Sequence, residues 1–578
     1  MLRLLLSAVV AVGLTLSLGS PAFAEEPPAA DPAKTPATLK DATDAKQAGN
    51  IAWVIAATGL VMFMMPGLAL FYGGMVRRKN VLGTMMHTMI ALGIVGVQWA
   101  VVGYCLAFGA SQGGYIGWSP ELLLLSPAAA AKTFPGIDIP VYLHAMFQGM
   151  FAIITAALVS GAFAERVKFG AYCLFVLLWT TLVYDPLAHW VWAAAWTPDG
   201  QPGWLAKMGA LDFAGGTVVH IAAGFGGLAA VLVLRKRFGY PQHNFHPNSM
   251  VLTLLGAGML WFGWFGFNGG SALAANGQAA NALTVTQIAA ATAGLAWVLT
   301  EWVVKGKPTA LGFASGVVAG LVAITPASGF VAPGGALVIG VVAGVLCYGA
   351  VLLKPLLGYD DSLDAFGVHG VGGFIGAVLT GFLVSIPVWV AGTGSTEDKF
   401  IGKLTDGKWD MAEQVQVQLV ASLVSAGFSF LVTGVIVLAI DKTIGFTLTE
   451  EDETEGLDRA EHGEVGFDYG GGALEEIPGA MVPEPKAASA PPNGPLSKRF
   501  TVVVEGANPD QLVKVWGDLC KPGEEPPSPS FKAVYPYFTT MTGNKFRFRG
   551  GDPVILRTEL QKLLTGVLDV PVKTHVES

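Results

Sequence analysis

Two histidines of this 578-residue chain fall inside long apolar stretches, where a protonatable side chain is costly. His220 and His369 each follow an aspartate, Asp212 and Asp364, near the start of such a stretch. Ionisable side chains within membrane segments are rare and usually functional, and an imidazole exchanges its proton near neutral pH. We therefore expect a histidine pair that relays protons. The alternative is two unrelated core histidines with separate hydrogen bonds.

The aspartates have a simpler interpretation. A carboxylate near a helix N-terminus accepts hydrogen bonds from the free amide groups there and is favoured by the helix dipole. Asp212 and Asp364 are therefore expected to be structural caps first. The glycines on either side of His369 would allow a second helix to approach until the two imidazoles touch.

Aromatic residues form a second group whose types and spacing could serve binding. Trp264, Phe267 and Ser271 are spaced i, i+3 and i+7, so they share one face of a helix. Phe147 and Phe151 have the helical spacing i, i+4. Aromatic faces attract cations, more strongly where water is excluded. This spacing predicts an aromatic surface that can hold a cation.

Two further residues accompany these aromatics. Gln148 is next to Phe147, and Trp192 lies just past the end of an apolar stretch. Trp192 could add a cation-binding face, but tryptophan is also common at the membrane–water interface. On composition alone, an interfacial Trp192 is the more probable interpretation.

Composition defines the class of protein that must position these groups. Hydrophobic residues make up 52% of the chain and charged residues 13%, against about 25% charged in soluble domains. This excludes a soluble enzyme and a disordered chain. The net charge of −8 offers no basic surface for nucleic acid. Four scattered cysteines without a CxxC motif make a disulfide framework, a zinc site or another metal site improbable, and we expect no cofactor.

The apolar segments predict an all-α polytopic membrane protein. The eleven predicted helices span residues 50–75, 84–109, 141–164, 169–190, 213–234, 249–270, 284–304, 309–326, 334–353, 364–385 and 416–441. Eleven helices suggest two inverted five-helix repeats plus one, with a site where the repeats meet. The histidines fall at matching places in the fifth and tenth predicted helices.

The N-terminus has the pattern of a secretory signal peptide, residues 1–24, with a short apolar run at Leu4–Leu18 and a small-x-small cleavage site at Ala22–Ala24. The alternative, an uncleaved first helix, needs about 20 apolar residues. Residues 25–48 are expected to form a solvated external tail before a membrane domain at 49–442.

Charge asymmetry predicts the orientation of the membrane domain. Cations are concentrated in the loops after the first, third, fifth, seventh and ninth predicted helices. Those cations are Arg77, Arg78, Lys79, Arg166, Lys168, Arg235, Lys236, Arg237, Lys305, Lys307 and Lys354. Because Lys and Arg accumulate on the cytoplasmic side, we expect the N-terminus outside and the C-terminus in the cytoplasm.

Several segments together resemble a known family. They are Phe147–Thr155, Ala164–Phe169, Asp212–His220, Trp261–Ser271 and Asp364–Gly373. Over about residues 45–469 the chain resembles the bacterial Amt type of the Amt/Mep/Rh ammonium transporters. The resemblance implies homotrimers with a pore in each subunit, in the bacterial inner membrane.

The resemblance also implies roles for the external residues. Trp192, Phe151 and Ser271 match the ammonium recruitment site, and Asp212 matches the buried carboxylate that supports it. Phe151 and Phe267 match two stacked phenyl rings that gate the pore.

Below the gate, the resemblance assigns the proton relay to His220 and His369 and makes Gln148 and Trp264 pore-lining residues. An ion without its hydration shell is disfavoured in a medium of low dielectric constant by tens of kcal/mol. Ammonium can leave a proton behind and cross as ammonia, so a dry pore should discriminate against K⁺.

The chain continues beyond the apolar segments. Residues 443–469 resemble the family's cytoplasmic regulatory tail, which in bacteria often contacts a PII-type signal protein; the alternative is a solvated acidic face. Residues 470–498 are predicted to be a linker. Residues 499–578 alternate strand and helix patterns and predict a small α+β domain of the ferredoxin-like type. Its ligand is not apparent from the sequence.

The leading function is an ammonium transporter that recruits NH4⁺ externally, deprotonates it and passes NH3 through a hydrophobic pore. The alternative is an ammonium sensor that signals through the C-terminal domain with little transport. A neutral gas channel is a third possibility, against which Trp192 and Ser271 argue. No nucleophile–base set is apparent, so we do not expect an enzyme.

Overall fold

The computed structural model describes residues 39–196, 200–242, 245–467, 499–519, 530, 534–542, 544–549, 553–568 and 572–577. These residues form a helical body that ends at 467 and a small α/β unit that begins at 499, each with its own hydrophobic core. The predicted signal peptide, 1–24, and the predicted linker, 470–498, lie outside the described residues.

The body is an assembly of membrane helices. Within the described ranges, ten helices are long and apolar enough to cross a membrane. They are α1 (Leu39–Met75), α2 (Arg78–Phe108), α3 (Val141–Val159), α4 (Phe169–Trp192), α5 (Gly216–Val233), α6 (Met250–Gly270), α7 (Gly277–Lys305), α9 (Pro333–Leu357), α10 (Phe366–Leu383) and α11 (Met411–Thr443). A shorter apolar helix, α8 (Ala310–Ile324), stands between α7 and α9.

These helices overlap the eleven predicted segments, with three informative differences. The eighth, α8, has 15 residues, whereas a spanning helix needs about 20, so length supports ten candidate spans. Helix α1 begins at Leu39, inside the predicted tail, because residues 39–49 include good helix formers such as Ala, Lys and Gln. Helix α7 begins at Gly277, where the Asn276 side chain accepts the Ala279 N–H at 3.1 Å as an N-cap.

Four π-helical turns interrupt the described membrane helices. They are Trp99–Gly103 in α2, Thr180–Tyr184 in α4, Gly216–Ile221 at the start of α5 and Phe366–Gly370 at the start of α10. Such turns are rare and are found frequently at functional sites. His220 and His369 lie in the last two.

Glycines bring α5 and α10 into contact. A Cβ atom on Gly224 would collide with the backbone of Gly370, and one on Gly373 would lie 2.8 Å from the Cβ of His220. Larger side chains at these positions would push the two helices apart. The close approach places the two histidine-bearing turns side by side.

Short elements occupy the connections. The hairpins are β1 (Ser111–Gln112) with β2 (Ile116–Gly117) and β3 (Leu404–Thr405) with β4 (Lys408–Trp409). Short helical segments are Pro120–Leu125, Pro127–Ala130, Trp204–Met208, Ile386–Thr393 and Glu397–Lys399.

After α11 the chain folds back over one end of the body. Val167 and Thr447 form an antiparallel bridge, and the Lys168 N–H donates to the Phe446 carbonyl at 3.0 Å. Two short helices follow, α12 (Glu450–Glu455) and α13 (Leu457–His462). The segment predicted as a tail at 443–469 is therefore folded against the membrane helices as far as residue 467.

The C-terminal unit is a four-stranded antiparallel sheet covered by two helices. Its strands are β5 (Arg499–Glu505), β6 (Phe538–Thr542), β7 (Lys545–Arg549) and β8 (Lys573–Glu577), in the spatial order β6-β7-β5-β8. The helices are α14 (Pro509–Leu519) and α15 (Pro553–Leu568).

The element order of this unit agrees with the α+β prediction. Strand β6 begins at Phe538, directly after a 3-10 turn at Tyr535–Tyr537 that has a proline near its start. The last strand, β8, is Lys573–Glu577.

Candidate functional site

The two histidines meet in the interior of the body. The Nδ1 atoms of His220 and His369 lie 3.3 Å apart, and their ring centroids are separated by 5.4 Å at an interplanar angle of 23°. Both residues are buried. The two imidazoles are therefore in contact in the fold.

The bond between two Nδ1 atoms restricts the tautomers of the pair. One Nδ1 must carry the proton and the other must accept it, so the two Nε2 atoms differ in protonation when both rings are neutral. The Nε2 atom of His220 is buried and has no hydrogen-bond partner among the described residues. A proton taken up at one Nε2 can then leave from the Nε2 of the other ring, once the central bond reverses its direction.

An aromatic side chain orients the first imidazole. The rings of Trp264 and His220 stack with centroids 5.5 Å apart at 20°. Trp264 Nε1 donates to Thr325 Oγ1 at 2.9 Å, and that hydroxyl donates to the Leu321 carbonyl at 2.8 Å. The tryptophan is thereby held against the imidazole by the first turn beyond α8.

A narrow space lies beside the pair. Its walls are largely apolar. The lining residues are Met64, Leu68, Phe71, Ile154, Leu158, His220, Leu260, Trp264, Phe267, Val318 and His369. A charged species would lose its hydration here without gaining compensating ligands from these walls, whereas a small neutral molecule would not incur that penalty.

Two stacked phenyl rings close one end of this space. The centroids of Phe151 and Phe267 are 4.2 Å apart at 33°, and Phe267 in turn lies 6.1 Å from the His220 ring. Phe147 meets Phe151 edge-on at 5.0 Å. Both rings of the stack are almost completely buried.

Trp192 stands on the other side of the phenyl stack. Its ring meets Phe151 at 6.1 Å and 88°, and its Nε1 donates to the Asp212 main-chain carbonyl at 2.8 Å. The indole is therefore oriented by the turn that begins α5. This contact favours the recruitment interpretation over an unattached interfacial tryptophan.

The Asp212 carboxylate organises that turn. Oδ1 accepts the Gly215 and Gly216 N–H groups at 2.9 and 2.5 Å, and Oδ2 accepts the Thr217 N–H at 2.8 Å together with the Thr217 hydroxyl. Asp212 is thus a helix cap, as predicted. These bonds involve both carboxylate oxygens, while the Asp212 main-chain carbonyl accepts the bond from Trp192.

The predicted second cap is wrong. The N–H groups of Ala365 and Phe366 donate to Asp361, at 3.0 and 2.8 Å, whereas Asp364 pairs with Lys354. Asp364 has a left-handed φ of 59°, and its side chain is directed away from the turn. Asp361 precedes His369 by eight positions, as Asp212 precedes His220. That matched offset is the signal in the sequence that identifies the equivalent pair.

Ser271 and Gln148 occupy supporting positions. Ser271 is the C-cap of α6, and its hydroxyl donates to the Phe267 carbonyl at 2.8 Å, which leaves its oxygen lone pairs able to accept. Gln148 is buried next to Phe147, and its Oε1 has no partner in the part of the chain that the structure describes. Gln148 is not among the residues that line the space beside the histidines.

At the opposite end of the body lies a buried ion-pair network that sequence reasoning treated only as loop charge. Arg237 joins Glu165 at 2.8 Å and Asp360 at 2.7 Å, and Arg166 also meets Asp360 at 2.7 Å. Burial by itself raises the pKa of the Asp360 carboxyl, but Arg166 and Arg237 overcome this and lower it. Burial lowers the pKa of Arg166 to about 10 despite the opposing carboxylate. The network joins the segments before α4, after α5 and before α10.

The tail bonds to the rim of this network. Arg235 donates to Glu453 and to the Leu448 carbonyl, each at 2.7 Å. The Leu457 N–H donates to Asn80 Oδ1 at 2.9 Å, and that asparagine also donates to the Glu165 carboxylate at 2.7 Å. The tail is therefore connected to the network through a shared side chain.

The described ranges contain no group of three or more His, Cys, Asp or Glu residues placed to hold an ion. Cys105, Cys173 and Cys347 are free thiols.

The chain was compared with known proteins. The model of the Ammonium Transporter Family matches residues 52–467. The chain is 46% identical to an ammonium transporter of Aquifex aeolicus over 429 residues, which cover 74% of this chain and 95% of the relative. It is 43% identical to the ammonium transporter Amt1 of Archaeoglobus fulgidus over 419 residues, covering 72% and 99%.

Solved structures give the same result. The crystal structure of Saccharomyces cerevisiae Mep2 superposes with a TM-score of 0.62 at 36% identity, covering 70% of this chain and 88% of that one. A structure described as a sensor Amt protein superposes with a TM-score of 0.65 at 29% identity, covering 72% and 99%. The sequence relatives are named as transporters, not as enzymes.

Proposed function

The chain belongs to the ammonium transporter family, and on that premise we propose that it recruits NH4⁺ externally, deprotonates it and conducts NH3 while its histidine pair relays the proton. The observation that carries this proposal is the contact of His220 and His369 beneath a closed phenyl stack, at the wall of an apolar space. A permanently charged solute has no ligands there. A species that can shed its proton does not need them.

Recruitment is the first step of the proposed mechanism. The faces of Trp192 and Phe151 attract a cation, with about 2 kcal/mol or more when it is desolvated. Ser271 accepts a hydrogen bond from ammonium through its hydroxyl oxygen. Asp212 orients Trp192 and is not in contact with the cation, because its oxygens bond to the start of α5.

Separation of ammonia from its proton is the second step. The N–H bond of ammonium breaks at the phenyl stack, NH3 passes the rings of Phe151 and Phe267, and the proton is transferred to an imidazole Nε2. His220 and His369 then exchange it through their Nδ1 contact. Ammonia and the proton recombine beyond the apolar space, so one charge moves for each ammonium.

Reconstitution tests the proposal directly. Purified full-length protein in liposomes is expected to produce a current when ammonium is added and none when K⁺ alone is added. Empty liposomes are the control for passive ammonia permeation. A current of equal size with K⁺, or uptake of ammonia without charge movement, would contradict the mechanism.

We place this transporter in the bacterial inner membrane as a multi-pass protein, with the N-terminus outside and the C-terminus in the cytoplasm. The concentration of Lys and Arg at the network end of the body supports this orientation. We count α8 as a membrane helix, which brings the number of membrane helices from ten to eleven. In this proposal they form two inverted five-helix repeats, and α11 is the additional helix. The equal spacing of Asp212–His220 and Asp361–His369 in two π-helical turns supports the repeats.

Assembly and partners are further parts of the proposal. The family resemblance supports a homotrimer with one pore in each subunit and a PII-type signal protein at the cytoplasmic face. For the C-terminal unit, the strand order β6-β7-β5-β8 with antiparallel neighbours supports a ferredoxin-like fold.

A second candidate function, ammonium sensing with little transport, has one observation in its favour. A structurally similar protein is described as a sensor Amt protein, and this chain carries a separate folded unit beyond the family match. Retained ammonium binding without current in the liposome experiment would favour sensing over transport.

A further inference from the structure

A carboxyl group outside the proposed pore is buried without a counterion. Asp185 in α4 is fully buried, and its Oδ2 accepts a hydrogen bond from Gln98 Nε2 of α2 at 2.7 Å. Asp185 Oδ1 and Gln98 Oε1 are also buried, and neither has a hydrogen-bond partner among the described residues. Both unpaired atoms are acceptors when the carboxyl group is ionised.

No Lys or Arg forms an ion pair with Asp185 in the described ranges. Titratable side chains on the membrane helices around it include Tyr104, His144, Tyr184, His189 and Asp212, and the exposed Lys207 lies on the short helix Trp204–Met208 that packs against the segment Asp185–Trp192. Tyr104 and His144 bond to each other at 3.0 Å, His189 bonds to Ala107 and Ser111, and Asp212 caps α5. The Tyr184 hydroxyl has no hydrogen-bond partner in the described structure.

A single proton on Asp185 would allow its Oδ1 and Gln98 Oε1 to form a hydrogen bond with each other. A buried, unpaired carboxylate carries a large desolvation penalty, so such a group is expected to be neutral. A protonated Oδ1 is a donor, and Gln98 Oε1 is the buried acceptor that lacks one. We propose that Asp185 is a neutral carboxylic acid that forms a cyclic acid–amide pair with Gln98, and that this pair positions Trp192 for the cation.

The backbone is shaped around this pair. Gln98 directly precedes the π-helical turn Trp99–Gly103, and Asp185 directly follows the turn Thr180–Tyr184. A Cβ on Gly103 would lie 2.6 Å from Gln98 Oε1, so glycine leaves space for the amide. The other two π-helical turns of the described chain contain the histidines, and the acid–amide pair joins the remaining two.

A short helical segment connects the pair to Trp192. Asp185 begins the segment Asp185–Trp192 and Trp192 ends it. Between them, His189 bonds to the Ala107 carbonyl at 2.9 Å and to the Ser111 hydroxyl at 2.8 Å, which attaches the segment to the end of α2. The pair with Gln98 is the second attachment to α2, at the base of the segment. Asp185 therefore acts as a positioning residue through the segment that carries the indole.

Infrared spectroscopy tests the protonation state independently of transport. The native-minus-Asp185→Asn difference spectrum of the full chain at neutral pH is expected to contain the carbonyl stretch of a protonated carboxylic acid, shifted in D2O. Asp138→Asn is the matched control, because Asp138 is exposed and lies 3.6 Å from Lys46 as an ion pair. Its difference spectrum should lack that band. Absence of the band for Asp185 would overturn the proposal.

Transport kinetics test the positioning role, which rests on the proposed function of Trp192. An asparagine can donate to Gln98 Oε1 and accept from its Nε2, so Asp185→Asn should keep the KM for ammonium close to native. Asp185→Ala removes both hydrogen bonds of the pair and leaves Gln98 only its 3.2 Å bond to the Thr181 hydroxyl, so it should raise that KM about fivefold or more. The positioning role would be overturned if Asp185→Ala had the native KM for ammonium. It would also be overturned if Asp185→Asn raised that KM as much as Asp185→Ala does. Native protein with the infrared band but without ammonium current would refute the proposed function alone.

Discussion

His220 and His369 are 149 residues apart in the chain, yet their Nδ1 atoms share one hydrogen bond of 3.3 Å. Each ring comes from the first turn of its helix, and each turn is π-helical. Because a single proton occupies the bond, the two rings have opposite tautomers when neutral. Reversal of that bond moves a proton across the pair without moving either backbone.

Replacing either imidazole should interrupt this path. In His220→Leu or His369→Leu, we expect the ammonium-dependent current in liposomes to fall by about 100-fold or more, the range of a lost acid–base group. His246→Leu is the control, because His246 is exposed in the loop after α5. Native-sized, ammonium-selective current in both pore variants would contradict the relay.

The phenyl stack should exclude hydrated ions by its bulk. Phe267→Ala removes one of two rings 4.2 Å apart, so we expect K⁺ current to appear in liposomes that are otherwise K⁺-tight. The substitution should also lower stability by about 3–5 kcal/mol, as for other buried phenylalanines. Phe262→Ala on the same helix is the control, because 54% of that side chain is exposed. Continued K⁺ exclusion in Phe267→Ala would show that the rings are not the barrier.

Asp212 should contribute more than an ordinary helix cap. Asp212→Ala leaves the N–H groups of Gly215, Gly216 and Thr217 unpaired, so we expect a loss of about 3 kcal/mol or more in the free energy of unfolding. The KM for ammonium should also rise because Trp192 loses its fixed support. Asp410→Ala, which removes a single cap bond to Glu413, should cost about 1 kcal/mol. Equal losses of stability in Asp212→Ala and Asp410→Ala, measured by thermal unfolding, would contradict this prediction.

The buried ion-pair network of Arg166, Arg237, Glu165 and Asp360 should make the stability of the protein depend on acid pH. The pKa of Asp360 in the folded protein lies below its unfolded value, so its contribution is present above about pH 3.9 and is lost as pH falls through the folded pKa. Asp360→Asn leaves Arg166 buried without its carboxylate and should cost about 3–5 kcal/mol at neutral pH. Thermal unfolding from pH 7 downward measures both effects. Between neutral and strongly acid pH, the Asp360→Asn variant should lose less stability than the native chain. Parallel curves of stability against pH for the two proteins would contradict this.

The docked tail should depend on one buried carboxylate. Glu453 accepts from Arg235 and from the Phe238 N–H, at 2.7 and 2.8 Å. Glu453→Ala removes both of these hydrogen bonds between the tail and the segment after α5, so hydrogen exchange over residues 450–462 should accelerate about tenfold or more. Glu450→Ala, on the exposed side of α12, is the control. Unchanged exchange in Glu453→Ala would show that other contacts hold the tail.

Much of the fold could be predicted because membrane helices are encoded locally. A run of apolar residues identifies a spanning helix wherever it lies, and the eleven segments were located by this property. Boundaries were less predictable: α1 starts at Leu39 because a polar sequence can continue a helix into solvent. In the candidate site, Trp264 and Phe267 were grouped correctly, since i, i+3 spacing alone places two rings on one face.

Contacts between residues that are far apart in the sequence were harder to predict. Asp364 was expected to cap α10, but the left-handed backbone at that residue directs its side chain to Lys354 and leaves the cap to Asp361. The link between Trp264 and Thr325 also joins separate helices, and no local pattern marks it.

By itself, the sequence determined that this protein is a bundle of membrane helices carrying two histidines and a set of aromatics. Hydropathy and helical periodicity act over a few residues and can be read along the chain. Only the tertiary structure decided that the imidazoles touch, that Asp361 is the equivalent of Asp212, and that Gln98 meets Asp185. Hydrogen bonds act over about 3 Å and depend on direction, so their partners are set by how helices pack.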